Sequence, residues 1–89
     1  MANRRKLKKN VNYIAGELFA ECLVQSMFNP TVDKEKADEI MADILLMQDE
    51  YISRISHTQP GNVKGFYKKF REDFNAKVDE IVDAIEKLN

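Results

Sequence analysis

Tryptophan is absent from these 89 residues, cysteine and histidine occur once each, and there are only three glycines and two prolines. A single cysteine cannot close an internal disulfide. Cys22 lies among apolar neighbours, as a small core residue in a reducing compartment does. With one histidine and one cysteine there is no zinc ligand set. A carboxylate-bridged di-metal bundle needs a Glu-x-x-His pair on each of two helices, and the residue three before His57 is Arg54. No Gly-rich phosphate-binding loop is present either, because the stretch from Gly61 to Gly65 is too short and carries the wrong residues. Neither a metal nor a cofactor is expected. No apolar run reaches the roughly 18 residues of a membrane span, since Glu17 and Glu21 interrupt the most apolar segment. Met1 to Lys9 has the basic character of a signal-peptide start but no small-residue cleavage site follows. The expectation is a cytoplasmic chain with no membrane partner.

What is present is charge and helix periodicity. The chain is 44% hydrophobic and 33% charged with a formal net charge of −1, which favours neither nucleic acid nor an anionic membrane as a partner. The charge is unevenly spread. Residues 1–28 carry five basic and two acidic groups, residues 29–59 three and seven, and residues 60–89 six and six.

Apolar spacing predicts three helices, over about 10–28, 32–57 and 62–88. Asn10 is a competent cap for the first, and Asn29-Pro30 ends it, because a residue before proline is pushed away from helical angles. Asn29, Thr31 or Asp33 then caps the second, whose first turns carry Asp33, Glu35, Asp38 and Glu39 in favour with the helix dipole. Its apolar stripe is Ala37, Ile40, Met41, Ile44, Leu45, Met47, Tyr51, Ile52 and Ile55, while Leu46 falls on the opposite, acidic side. Pro60-Gly61 breaks the chain again, and Asn62 caps a third helix with the stripe Val63, Phe66, Tyr67, Phe70, Phe74, Val78, Ile81, Val82, Ile85 and Leu88. Two short connections force neighbours antiparallel. The fold class is all-α, an up-down-up antiparallel three-helix bundle formed by residues 10–89 as one domain. Residues 1–9 are expected to fray, because Arg4, Arg5, Lys6, Lys8 and Lys9 put positive charge at the positive end of a helix dipole.

The first helix is apolar almost all the way round. At about 100° per residue its larger polar side chains, Asn10, Glu17, Glu21 and Gln25, gather in one narrow stripe. A helix in a three-helix bundle is covered along about half its circumference, so a face is left over, made of Gly16, Phe19, Ala20, Leu23 and Met27. Gly16 and Ala20 lie one turn apart and would let another backbone approach closely. The first expectation is a homodimer through this face; a crowded crossing inside one chain and a different protein partner are the alternatives.

Chemistry has little to stand on. His57 suits the end of the second helix as a cap, and adjacent Ser56 points elsewhere, so the two form no nucleophile and base. The carboxylates spaced at three and four on each helix read as solvated faces. The basic stretch Arg4, Arg5, Lys6, Lys8 and Lys9 could contact phosphates as a flexible arm, but no recognition helix is evident, and Phe66, Tyr67 and Phe70 beside Lys68 and Lys69 lie on the core side. The sequence therefore points to a small non-enzymatic interaction or assembly module that self-associates, with a nucleic-acid-associated protein using the basic arm as the rival.

Overall fold

The structure is a computed structural model and describes residues 4–57 and 63–88. Among them are three helices and no strand: α1 (Arg4–Phe28), α2 (Lys34–Ser56) and α3 (Val63–Glu86). The turn expected at Pro60-Gly61, the cap Asn62 and the side chain of Val63 lie outside the described residues.

The start of α1 departs from the sequence expectation. The helix begins at Arg4, six residues before Asn10, so residues 4–9 are helical and continuous with the domain. Leu7 supplies the reason: it is 9% exposed and shares a small cleft with Val11, Ile14, Phe70 and Phe74. Burying a leucine contributes about 1.5–3 kcal/mol, and the opposing dipole effect, roughly 0.3–1 kcal/mol per charge before salt screening, falls off within the first turn, which holds only Arg4, Arg5 and Lys6 of the five cations. Helical spacing also spreads the five cations around the helix, and the carbonyl end of antiparallel α2 lies beside them, which offsets part of their cost.

The joint between α1 and α2 is built by side chains competing for backbone donors. Asn29 accepts hydrogen bonds through Oδ1 from the Thr31 amide at 3.1 Å and the Thr31 hydroxyl at 2.7 Å, a local turn that the following Pro30 fixes in place. Of the three candidate caps it is Asp33 that caps α2, with Oδ1 accepting from the amides of Glu35 at 3.0 Å and Lys36 at 3.4 Å. Val32 precedes the cap and Ala37 lies at the fourth helical position, and both are buried in the core. That is the spacing of a hydrophobic staple, which sets the angle at which the chain enters α2.

Cross-helix contacts give the topology. Gln48 Nε2 donates to Asn12 Oδ1 at 2.8 Å and the Cys22 thiol donates to the Ala37 carbonyl at 3.4 Å, so α1 and α2 run antiparallel. Arg54 to Asp73 at 3.1 Å and Lys77 to Asp43 at 3.8 Å place α3 antiparallel to α2. Leu7 and Ile14 beside Phe70 and Phe74 place α3 parallel to α1, completing an up-down-up bundle about 50 Å long and 18 Å across. Tyr51 anchors the end of the bundle that holds the start of α1, with Phe70 and Phe74 edge-on at centroid distances of 5.4 and 5.2 Å. Below it Ile44, Ile81 and Ile85 continue the core towards Val32 and Leu88.

Candidate interaction surface

The two sides of α1 differ sharply in exposure. Leu7, Val11, Ala15 and Cys22 are buried, with Ile14 and Leu18 half-buried against the same core. At about 100° per residue these six centre on one line of the helix, and Gly16, Ala20 and Met27 centre on the opposite line. Gly16 and Ala20 are exposed, Leu23 is 39% exposed and Met27 67%. Four of the five residues expected on the leftover face therefore lie on an open surface. Phe19 does not: it is half-buried and packed against the core, because it lies a quarter turn round the helix, at the seam with α2. Tyr13 at 67% and Val24 at 51% exposure flank the open face and belong to it instead. Angular position alone places them there, at about 40° and 60° from the line through Met27.

Gly16 also decides between two of the sequence readings. A Cβ placed on it meets nothing within 4 Å, so it is not at a crowded crossing within the chain. The close-packing alternative is thereby corrected, and the missing side chain leaves a shallow notch in the outer face. Beside the notch, the Tyr13 phenol donates to the Glu17 carboxylate, and that bond together with the negative charge holds its pKa above the ordinary phenol range.

The open face continues onto α2. With Asn12 opposite Gln48 and Cys22 opposite Ala37, Leu45 lies level with Ile14 and Ala15, and, although its spacing put it in the apolar stripe of α2, it is 53% exposed. Taking large residues at about 200 Å² each, Tyr13, Leu23, Val24, Met27 and Leu45 together offer on the order of 600 Å² of exposed surface. Contiguous apolar patches on monomers reach about 300–600 Å² at most, and those are commonly functional. A groove of about 700 Å³ lies alongside, lined by Leu45, Leu46, Ile52, Asn12 and Asp49 among others. Leu46, the misplaced hydrophobe of α2, forms its far wall, exposed as its position on the acidic side implied.

The basic stretch is not an arm. Arg4, Arg5, Lys6 and Lys9 are exposed and Lys8 half-buried, all on the first turns of α1. Helical geometry sends them to different sides, with Arg5 and Lys9 on the outer face and Lys6 at its edge in line with Val24. They do not form one phosphate-tracking stripe.

Gln25 donates through Nε2 to Glu21 at 3.3 Å while its buried Oε1 has no partner among the described residues. His57 caps α2: its backbone amide donates to the Ser53 carbonyl at 3.0 Å, and its Nδ1 lies 2.8 Å from the same oxygen, a bond that requires the Nδ1–H tautomer. Cys22 is fully buried; burial first, and the charge of Asp38 second, push its thiol pKa up. A cleft of about 460 Å³ opens between the end of α2 and the start of α3, walled by Phe66, Phe70, Lys69, Arg54 and Asp73. Arg54 there is committed to Asp73 and Glu50 and stacks 4.8 Å from the Tyr51 ring centroid. Among the described residues, no group of three or more His, Cys, Asp or Glu could hold a metal ion, and no helix is long and apolar enough to cross a membrane. Comparison with family models, with curated proteins and with solved structures finds no match to this chain.

Proposed function

We propose that this chain is a small non-enzymatic helical module that works by self-association through the outer face of α1. The observation that carries the reading is Gly16 and Ala20 lying over open space in the middle of an apolar face that points away from the core. Glycine inside a helix costs about 1 kcal/mol relative to alanine. Nothing among the described residues makes use of its small size. A close helix contact from outside would.

The rival, nucleic-acid association, drew on a flexible cationic arm. The helical setting of Arg4 to Lys9, with Leu7 in the core, supports the first reading in preference to it. Light scattering over a roughly hundredfold concentration range tests the proposal by mass action. The wild-type chain is expected to move from monomer towards dimer, and Ala20→Glu to remain monomeric with its helical signal intact. A wild-type chain that stays monomeric throughout refutes self-association.

A further inference from the structure

Lys9, Tyr13, Gly16, Ala20, Leu23 and Met27 all lie within about 40° of one line along the outer face of α1. In an antiparallel pair with a two-fold axis at the level of Leu18, Lys9 faces Met27, Tyr13 faces Leu23 and Gly16 faces Ala20, residue i meeting j and j meeting i as in any isologous interface. We infer that the occupant of the face is a second copy of this chain, with the two α1 helices antiparallel and the two-fold axis passing between Gly16 and Ala20. The inference rests on the self-association proposed above and adds its geometry.

In this register Gly16 meets Ala20 of the other copy, Tyr13 meets Leu23, and the aliphatic stem of Lys9 lies along Met27. The exposed area of about 600 Å² per copy approaches the roughly 800 Å² per partner of a standard interface. Leu45 and its neighbours on α2 extend the contact, because the same axis stacks α2 on α2.

Charge selects the direction. The first turn of α1 has no acidic residue and its last turn no basic one. An antiparallel copy brings Arg5 and Lys9 to the carbonyl end of the other α1 and beside the exposed Asp33. A parallel copy would place those cations on each other. The α2 helices obey the same rule: the register set by Asn12–Gln48 and Cys22–Ala37 brings exposed Lys34 of one copy opposite exposed Asp49 of the other.

Disulfide trapping of the full chain reads this register directly. A chain with Lys9→Cys is mixed with a chain carrying Met27→Cys under mild oxidation; both positions are exposed, while Cys22 is buried and its raised thiol pKa keeps it slow. The expected product is the mixed dimer, with little trapping of either variant by itself. Self-trapping of both variants in a chain of dimeric mass means parallel helices and overturns the geometry alone, as does a dimeric mass with no trapping. A monomeric wild-type mass overturns the geometry together with the self-association on which it rests. As an independent arm, Lys34→Glu and Asp49→Lys should each weaken the dimer about tenfold and together restore it. Failure of the pair to restore it counts against the register.

Discussion

Gly16 offers a perturbation whose sign differs between the monomer and the dimer. In the monomer a Cβ at this position meets nothing within 4 Å, so Gly16→Ala carries no steric cost and recovers about 0.8–1 kcal/mol of helix propensity. For a domain of this size that is about 4–8 °C in Tm. Gly16→Gln recovers roughly half as much, because glutamine is a good helix former and its side chain has room to extend into solvent. In the dimer the same side chain occupies the notch where Ala20 of the other copy must sit, and overpacking of this kind costs about 1–3 kcal/mol at each of two equivalent places. Urea unfolding followed by circular dichroism, at a dilution where the monomer dominates, should show both variants above wild type. Light scattering at high concentration should then show Gly16→Gln dissociated by at least about tenfold, since each 1.4 kcal/mol is a factor of ten. A dilute midpoint lowered by Gly16→Ala would mean that the position is covered within the chain. An unchanged mass profile for Gly16→Gln would remove Gly16 from the interface.

Leu7→Ala should destabilise the fold by about 2 kcal/mol in urea unfolding, with faster amide exchange in residues 4–9; no change in either would mean that the first turns of α1 are not docked on α3. Phe74→Ala removes one of the two rings edge-on to Tyr51 and should cost about 3–5 kcal/mol, most of the stability of a small domain, so a loss below about 1 kcal/mol contradicts the aromatic anchor. The Arg54–Asp73 pair is 40% and 38% exposed, so a double-mutant cycle should return only about 0.5 kcal/mol, and a coupling above about 2 kcal/mol would show a pair far better shielded from water than this. For Cys22 the raised pKa means that folding favours the neutral thiol. Its contribution is complete below the unfolded thiol value of about 8.5 and is lost as pH rises through the folded value. Urea midpoints should fall across that alkaline range, and Cys22→Ala should flatten the fall; an equal fall in the variant assigns it to other groups.

The bundle was legible because its signals are local. Pro30 ends α1, the acidic stretch from Asp33 starts α2, and the stripe of α3 from Phe70 to Leu88 has a single period. The start of α1 was not, because its outcome turns on Leu7 reaching Phe70 and Phe74, sixty-odd residues away in sequence, and dipole arguments see only the neighbouring charges. Phe19 was misplaced for a related reason. Periodicity shows that a helix has too much apolar surface but not which part the neighbours cover, and that depends on the directions in which α2 and α3 approach. Once Leu7, Leu18 and Cys22 are seen to face inwards, the open side is fixed as the one bearing Gly16, Ala20 and Met27.

Three helices around one core can cover each helix on two adjacent sides only, so the side of α1 opposite the core is left to solvent in any such bundle. α2 meets that condition in part, with Asp38, Asp49 and Ser53 on its outer side beside exposed Leu45 and Leu46, and α3 with its exposed lysines and carboxylates. On α1 the outward positions between Lys9 and Met27 carry Tyr13, Gly16, Ala20, Leu23 and Val24 instead. A soluble monomer gains nothing from that choice and loses helix stability at Gly16. Glu, Lys or Gln at Tyr13, Gly16 and Val24 would raise helix propensity, and at any of the five positions would raise solubility. Apolar residues at these positions leave α1 with an uncovered face, and it is on that face that the proposed self-association rests.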